Sequence, residues 1–534
     1  MRHWIAAAFF VWLLPAAAAG QPVTPSRQLV VPFESEAREA RLRWLGEASA
    51  VILTDDLAAL RVPVISRDDR LRAFERLRVP PVASLSYASV IRLGQVVGAA
   101  QVVVGTFDLD EAGQLTVVAR AIRLDTGRIA ADITERGPLT DFFAIYGRVA
   151  RRLAPDSRVT AEEMEQGHPP IAAFEQYVKG LLAEAPDAKV TFLTQALKLF
   201  PGFQRSKIAL WEVHTDQGEH KQALAALRDV PPEHRLSRQA RFLSAVSLLH
   251  LGQHQQAHEA LTALQAEMPD PALLNDLGVV QLRRPAGAPG GRAVAYFTQA
   301  SQLDPNDSDL FFNLGYAAWL ERDVQAAISW LREAVRRNPA DDAAHYVLGV
   351  ALQAAGSVSE AAREKELARQ LSAEYAEWEK KQPGNSAPRG LERVKTDLDV
   401  LASLRVDNVI VAAGQRDQRA LAAFHLDAGR RAFDAERDVE AIAELRRAVY
   451  LSPYESDAHL LLARAYLRSG RLFEAIDAVK IAIWSRDTIA ARLVLVEAHL
   501  QAREVEMARA ELQTILKMDP GNADALRLSE RLPK

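Results

Sequence analysis

The chain has no cysteine among its 534 residues, which excludes disulfides, thiolate nucleophiles and cysteine-ligated zinc. It also lacks an excess of either charge, with 65 basic and 69 acidic residues. A nucleic-acid-binding domain would usually be strongly basic, so nucleic acid is not an expected partner. What is present is an ordinary soluble balance of 49% apolar and 25% charged residues. The length allows about two to four domains.

Catalytic motifs are missing as well. There is no Gly-x-Ser-x-Gly, His-Glu-x-x-His or Walker sequence. The carboxylate pairs Asp55-Asp56 and Asp68-Asp69 fall where helix starts or solvated turns are expected. The glycine-rich stretch Arg283–Gly291 lacks the Lys-Ser/Thr of a phosphate loop, so it is interpreted as an elongated turn. The sequence therefore predicts a protein that is not an enzyme and has no cofactor.

Three histidines spaced by four residues, His250, His254 and His258, resemble a row of metal ligands. Gly252 marks a turn between them, so only the last two share a helix face. No nearby histidine–carboxylate group completes a tetrahedral site, and we expect no metal. His345, His425 and His459 instead recur at one repeat position, where a packing role is expected.

The amino terminus has the order of a secretory signal peptide. Arg2 and His3 precede an apolar run, Trp4–Leu14, which is followed by small residues up to Gly20. The run is short for a membrane span of ~20 residues, although an anchor is the alternative. We predict a signal peptide at residues 1–20, cleavage after Ala19 or Gly20, and an exported mature chain with no transmembrane span.

Residues 21–155 show the pattern of one small α/β domain. Short strands are predicted at Leu29–Phe33 and Val62–Ile65, with helices between and after them. A three-strand meander follows, and Gly113 suits the positive φ of its first turn. The strands of the meander and the closing helix are predicted at Gln101–Phe107, Leu115–Leu124, Arg128–Thr134 and Asp141–Leu153. Residues 156–170 form a polar linker.

Repeats begin at residue 171. The clearest copy, Ser308–Asp341, contains two short amphipathic helices, Leu310–Leu320 and Val324–Arg337. Gly315 and Ala327 mark the places where the two helices approach closely. The alanine of the second helix recurs at steps of 33 to 36 residues, as Ala223, Ala257, Ala293, Ala327 and Ala361, and then as Ala441, Ala475 and Ala508. Such hairpins cannot bury their apolar faces alone and must stack.

The array is interrupted once. The pattern predicts about six repeats in residues 171–375, an interruption at 376–421, three repeats at 422–522 and a capping helix at 523–534. The second helix of the last repeat before the interruption is predicted to continue through Tyr375 and Trp378. A break at Lys380–Arg389 separates it from another amphipathic helix, Leu391–Leu404.

The hairpin resembles the tetratricopeptide repeat (TPR) family through Leu314-Gly315, the alanines of the second helix and the closing prolines. This resemblance implies a mainly α fold, a TPR superhelical solenoid preceded by the small α/β domain. It also implies that the first helices line a concave groove that binds a protein or peptide partner. The candidate groove residues are Phe242, Asn275, Phe312, Tyr316, Trp319 and Tyr346, with Arg430, Arg464 and Arg468 in the later repeats.

Two alternatives remain open for this surface. The aromatic residues bind a partner, or the interruption at 376–421 folds back and fills the groove. The arginines meet an acidic or carboxyl-terminal partner, or they are simply solvated.

The stretch Leu93–Arg128 resembles bacterial envelope modules: the amino-terminal domain of the translocation protein TolB, the curli-secretion component and a flagellar outer-membrane protein. The resemblance rests on Gly98-Ala99-Ala100, Gly105-Thr106 and Asp125-Thr126-Gly127. It implies docking to envelope components, in the periplasm or at the outer membrane. The expected protein is an exported, non-enzymatic scaffold; the alternative is a structural or accessory subunit of an outer-membrane secretion complex.

Overall fold

A computed structural model describes residues 27–35, 42–79, 85–124, 126, 128–159, 168–285, 287–372, 374–381, 386–398, 408–452 and 455–531. The predicted fold class is confirmed: the chain is mainly helical, with TPR-like hairpins behind a small β-containing region. The predicted signal peptide lies outside the described residues, as do the middle of the predicted linker and the closing Pro453. None of the described helices combines the length and apolar character that a membrane crossing requires.

One five-stranded sheet forms the centre of the amino-terminal domain. β1 and β2 lie parallel to β3 along the same edge, and β3, β4 and β5 form an antiparallel meander. The β3–β4 turn has Gly113 at a φ of 76°, the conformation predicted for it. The strands are β1 Gln28–Val30, β2 Glu34–Ser35, β3 Gln101–Leu109, β4 Gln114–Arg123 and β5 Ile133–Pro138.

Helices cover both faces of this sheet. Successive residues of a strand point to opposite faces, so Val103 packs with α1 and α4 while Val102 packs with α2 and α3. The domain is thus a three-layer α/β unit. Its helices are α1 Arg43–Ala59, α2 Arg67–Arg76, α3 Tyr87–Val96 and α4 Phe142–Leu153.

Two predicted strands are wrong in detail. Val62–Ile65 makes only an isolated bridge between Val64 and Gln28, because the chain passes the sheet edge there without running along it. The third meander strand is β5, at Ile133–Pro138, rather than Arg128–Thr134. Ile129 forms a single bridge to Ile122, and regular pairing with β4 begins only at Ile133.

The α/β domain and the first repeats share one hydrophobic core. The ring of Phe142 on α4 lies 5.7 Å from that of Phe174 in the first hairpin. The Arg67 guanidinium donates to the backbone oxygen of Leu181 at 2.9 Å. The α1–α4 face is therefore covered by the array, while the α2–α3 face is not part of this core.

Six helical hairpins follow the α/β domain, and they make up the first array. Their helices are α5 Ile171–Leu182, α6 Pro186–Leu199, α7 Gln204–Asp216, α8 His220–Ala226, α9 Ser237–His250, α10 His254–Glu267, α11 Pro271–Arg283, α12 Ala293–Leu303, α13 Ser308–Leu320, α14 Val324–Arg337, α15 Asp342–Ala354 and α16 Val358–Leu371. The stretch Arg283–Gly291 lies in the α11–α12 connection, as predicted.

The close contact predicted inside the clearest hairpin is present. A Cβ atom added at Gly315 would lie 2.7 Å from Leu331 Cγ, so no larger residue fits without a shift. Ala327 is fully buried at the same interface. Small residues at these positions let two helices pack at short distance, which is why they recur through the repeats.

The interruption differs from its prediction. The preceding helix does not continue: α16 ends at Leu371, and Ser372 has extended backbone that redirects the chain into a separate helix, α17. Residues 386–398 contain no helix, although Leu391–Leu404 was predicted to be one; Leu401 and Leu404 lie outside the described residues. The helix that follows begins at Asn408, inside the predicted interruption.

The second array has three hairpins and a final helix. Its contacts return to the start of the first array: Ser452 Oγ lies 2.5 Å from Glu184 Oε2, and the rings of Phe192 and Trp484 are 6.4 Å apart. The first two hairpins of the second array thus lie against the first hairpin of the first array. The remaining helices are α17 Glu374–Lys381, α18 Asn408–Asp434, α19 Asp438–Leu451, α20 Ser456–Arg468, α21 Leu472–Ser485, α22 Ile489–Gln501, α23 Val505–Met518 and α24 Ala523–Arg531.

Candidate peptide-binding groove

The groove residues predicted in the first array are not open to solvent. Four of them are fully buried: Phe312 and Tyr316 on α13, Tyr346 on α15 and Asn275 on α11. Trp319 is half-buried. Phe242 is also fully buried, but it belongs to the hydrophobic core between hairpins. The structure therefore favours the alternative in which the chain fills its own groove.

The covering element is residues 386–398, which we call the groove segment. It runs along α13 and α11 in the direction opposite to the order of the hairpins. Near its start, the Tyr316 hydroxyl donates to the backbone oxygen of Pro388 at 2.8 Å. Ala387 and Leu391 pack beside α13 and α15, whereas Val394 and Leu398 pack against the core around α11.

Two asparagines hold the backbone of the groove segment at Arg393. Asn313 Oδ1 accepts from the Arg393 amide at 2.8 Å, and Asn313 Nδ2 donates to the Arg393 oxygen at 2.8 Å. Asn275 Nδ2 donates to the same oxygen at 2.8 Å, and the two asparagines bond to each other. Both backbone groups of Arg393 are therefore satisfied by the groove, which removes the need for helical hydrogen bonds and overrides the helical pattern.

The Arg393 side chain bridges two repeats. Its guanidinium donates to Asp309 Oδ1 at 2.6 Å and to Asp341 Oδ1 at 2.5 Å, and it lies 4.0 Å from the centre of the Phe312 ring. An arginine between two carboxylates and an aromatic face combines hydrogen bonding with a cation–π contact. This side chain is 23% exposed, so the site is partly desolvated.

Lys395 enters the groove two residues later. Its ammonium lies 2.7 Å from Asp307 Oδ2 and 2.6 Å from Asp309 Oδ2. Burial alone would lower the pKa of Lys395, but the charges of Asp309 and Asp307 outweigh that effect and raise it. Burial likewise favours a neutral Asp309, yet Lys395 and Arg393 together lower the pKa of that carboxyl.

Asp276 contributes a carboxylate beneath the groove segment. Its Oδ1 accepts from the Lys395 backbone amide at 2.8 Å and from Asn275 Nδ2 at 3.0 Å. Burial raises the pKa of Asp276 to about 7, against the lowering effect of these two donors. The Asp276 carboxyl is thus poised to change its protonation near neutral pH.

Two of the groove aspartates also cap helices. Asp307 is the N-cap of α13 and accepts from the Asp309 amide, and Asp341 is the N-cap of α15 and accepts from the Ala344 amide. A capping carboxylate is held in place by the backbone it bonds. The acidic side of the groove is therefore preorganised by the start of each first helix.

The Tyr346 end of the groove is covered by α17. The ring of Tyr375 stacks on that of Tyr346 with centroids 4.5 Å apart. Trp319 and Trp378 pack around the same pair. The helix and the groove segment together cover all the groove aromatics of α13 and α15.

The arginines of the second array lie in a different setting. Arg430 and Arg464 are each 11 residues before a ladder alanine, the register that Tyr316 has in the first array, and both are exposed. Arg430 lies 3.8 Å from Asp427. Arg468 donates to Asp438 at 2.7 Å and lies 3.8 Å from the centre of the Phe433 ring. Unlike the groove residues of the first array, these three arginines are exposed to solvent.

Several histidines bond to glutamates within their own hairpins. His345 Nδ1 is 2.6 Å from Glu364 Oε2, and His425 Nδ1 is 2.6 Å from Glu444 Oε2, in both cases across 19 residues. These contacts support the packing role predicted for that repeat position. In the part of the chain that the structure describes, no three His, Asp or Glu side chains converge as metal ligands would.

The prediction for Asp55-Asp56 is wrong. Both lie in the last turns of α1, and Asp56 is buried between the α/β domain and the second hairpin. Arg205 Nη2 lies 2.6 Å from Asp55 Oδ1, and burial raises the pKa of both carboxyls. Asp68 and Asp69 do lie at a helix start, in the first turn of α2. The Asp55 pair thus forms part of the contact between α/β domain and array.

Sequence analysis placed Asn275 on the groove face, but it missed Arg393 and Lys395, the two residues that bind in the groove as a ligand would. The spacing of two residues between Arg393 and Lys395 was a signal that could have indicated an extended segment. In an extended chain this puts both cations on one side, whereas the interval of four between Val394 and Leu398 favoured a helix.

The hairpins of residues 291–342 and 331–384 match the family model described as tetratricopeptide repeat, and the chain contains repeats of this type. No curated protein sequence matches this chain.

Solved structures with similar stretches have low overall similarity. MamA from Desulfovibrio magneticus RS-1 is 16% identical, with 34% of this chain and 97% of that chain covered and a TM-score of 0.25. PilF from Pseudomonas aeruginosa is 18% identical, with 37% and 90% covered and a TM-score of 0.30. YrrB, described as a TPR protein with an unusual peptide-binding site, is 15% identical, with 44% and 97% covered and a TM-score of 0.20. At these TM-scores the similarity says nothing about ligands.

Proposed function

We propose that this chain is an exported, non-enzymatic scaffold that binds extended segments of partner proteins along the concave face of its solenoid. The observation that carries this proposal is the way in which the groove holds residues 386–398. Asn275 and Asn313 bond to backbone atoms, which every polypeptide offers, while Arg393 and Lys395 add side-chain contacts to the groove aspartates. Peptide recognition commonly divides its work in this way, with backbone bonds for affinity and pockets for specificity.

Export is supported by the order of charge, apolar run and small residues in Met1–Gly20. In this proposal the mature chain begins near Gly20 or Gln21 and acts in the periplasm or at the outer membrane. Sequencing of the amino terminus of protein isolated from the cell envelope tests this point. Intact Met1–Gly20 on cytoplasmic protein would contradict it.

Envelope docking is assigned to the α/β domain, on the strength of the resemblance carried by Leu93–Arg128. Since the α1–α4 face packs on the first hairpins and α2 packs on α18, an envelope partner would meet α3 or the outer edge of β5. The solenoid remains available for a second partner, which makes the chain a connector between two proteins.

Photo-crosslinking in cells tests the scaffold role. A photoreactive residue replaces Arg464 on the concave face, and a matched one replaces the exposed Glu506 on α23, the second helix of its hairpin. We expect a defined protein to be crosslinked from position 464 and not from position 506. The same products from both positions, or none from 464, would contradict binding at the concave face.

A further inference from the structure

We propose that the groove segment 386–398 is an internal stand-in for a partner, which closes the groove until it is displaced. The displacing partner offers an extended segment with two basic residues at alternate positions, flanked by apolar residues. This inference rests on the proposed function and adds to it the chemistry of the ligand and the way in which access is controlled.

The contacts of the groove segment are those of a bound peptide. Its backbone is held at Pro388, at Arg393 and at the Lys395 amide, in each case by a groove side chain. None of these bonds depends on the identity of the residue whose backbone is held. A second polypeptide in extended conformation could therefore take the same bonds from Tyr316 and Asn313.

The acidity of the groove sets the charge of the ligand. Four aspartates meet the groove segment, and two cations, Arg393 and Lys395, pair with three of them. Without these cations the carboxylates would stand close together and partly desolvated, which is unfavourable. The aspartates are Asp276, Asp307, Asp309 and Asp341. The part of the groove that holds Arg393 and Lys395 is thus complementary to basic residues, while Arg283 pairs with Glu392 of the segment.

The groove segment is bound at the surface, unlike a core element. Among its thirteen residues Lys395 alone is fully buried, whereas Arg389, Gly390 and Thr396 are exposed and the others are half-buried. The residues beneath it, Phe312 among them, are fully buried. A layer that covers a finished surface and is itself half-exposed can leave without opening the hairpins.

The apolar contacts complete the description of the ligand. Leu391 packs beside α13 and α15, and Val394 and Leu398 pack against the core around α11. The expected partner segment therefore carries apolar residues two before the first cation, between the two cations and three after the second. This spacing distinguishes it from a general polybasic tail.

The test uses a fluorescein-labelled synthetic peptide with the sequence of residues 386–398 and measures its anisotropy with the full mature chain. In the open variant Arg393→Ala/Lys395→Ala the internal segment has lost its cations. We expect the peptide to bind the open variant at least about tenfold more tightly than wild type, because the wild-type groove is mostly occupied. Adding Asn313→Ala to the open variant should abolish binding. A control peptide with glutamate at both cationic positions should not bind.

Equal affinity for wild type and the open variant would overturn the inference, since the segment would then not control access. Absence of binding to the open variant would overturn it too and would show that the segment is a fixed structural part. Binding that survives Asn313→Ala would place the peptide elsewhere. None of these outcomes affects crosslinking at position 464, so the proposed scaffold role stands or fails separately.

A measurement on the wild-type chain covers the case in which the open variant does not fold. Hydrogen exchange of residues 386–398 is followed with and without excess unlabelled peptide. We expect the amides of Arg393 and Lys395, which are bonded in the groove, to exchange faster when the peptide is added. Unchanged exchange at a peptide concentration that saturates the anisotropy signal would overturn displacement.

Discussion

The two arrays are built from the same hairpin, but the side chains on their concave surfaces carry opposite charges. A Cβ atom at Gly315 in the first array would meet Leu331 at 2.7 Å, and one at Gly429 in the second would meet Leu445 at 2.6 Å. The helix contacts are thus the same. The first array, however, collects aspartates around a cationic segment, whereas the second exposes arginines. Residues at the helix contacts determine the solenoid fold. Residues on the concave side are not constrained by these contacts and determine which ligand is bound.

The largest difference is expected for an aromatic ring under an arginine. Phe312 lies fully buried beneath Arg393, whereas Phe433 lies half-buried beneath Arg468. Phe312→Ala should lower the free energy of unfolding by about 3–5 kcal/mol, because it leaves a cavity. Phe433→Ala should lower it by only about 1 kcal/mol, as for an exposed cation–π contact. Urea denaturation of both variants measures the two values, and similar losses would show that the groove of the first array is not closed.

The next largest difference in stability is expected when the arginines above these rings are removed. Arg393→Ala leaves Asp341 and Asp309 without their shared partner and should cost about 2–3 kcal/mol, less than the loss from a fully buried pair because the side chain is 23% exposed. Arg468→Ala should cost under about 1 kcal/mol, since its pair with Asp438 is at the surface. Thermal melts at low and high salt separate the two: the Arg468 effect should vanish in high salt and the Arg393 effect should persist.

Packing positions should behave alike in the two arrays. Ala327 and Ala475 are both fully buried at the helix contact. Ala327→Leu and Ala475→Leu should each cost about 1–3 kcal/mol through overpacking. Denaturation midpoints of the two variants check this. A neutral Ala327→Leu would mean that the assigned repeat register is wrong, whatever the second variant does.

The smallest effect is a pH dependence confined to the first array. The pKa of Asp276 is raised by burial to about 7 from its ordinary value of 3.8. The folded form therefore holds this proton where the unfolded chain has lost it, and stability falls as pH rises from about 4 to 7. The charges facing Asp276 are Lys395 and Arg283. Asp276→Asn, which keeps an acceptor for the Lys395 amide, should flatten that fall in a series of thermal melts.

A pH profile that is unchanged by Asp276→Asn would contradict the assignment. The acid limb of the same profile has another origin: the pKa of Asp309 is lowered by Lys395 and Arg393, so its contribution is present above about pH 4 and is lost on further acidification. Asp309→Asn should therefore lower stability above about pH 4 and reduce the slope of the acid limb.

The hairpins could be predicted from sequence because their signals are local. Gly315, the alanine ladder and the turn at Gly113 each specify a contact or a conformation within a short stretch. The groove segment could not be predicted in this way. Val394 and Leu398 have helical spacing, but Asn275 and Asn313, some 80 to 118 residues away, take the backbone bonds that a helix would need. Periodicity shows which residues are apolar and not which distant side chains compete for the backbone.

The groove segment is joined to the groove that it fills by a single polypeptide. Such a tether gives the segment an effective concentration on the order of millimolar, so a free rival with equal contacts would have to reach that level to occupy half of the grooves. A rival that is itself tethered, for example by holding the arginine face of the second array, competes on equal terms. Closure by a covalently attached occupant would therefore select for bivalent partners over isolated peptides.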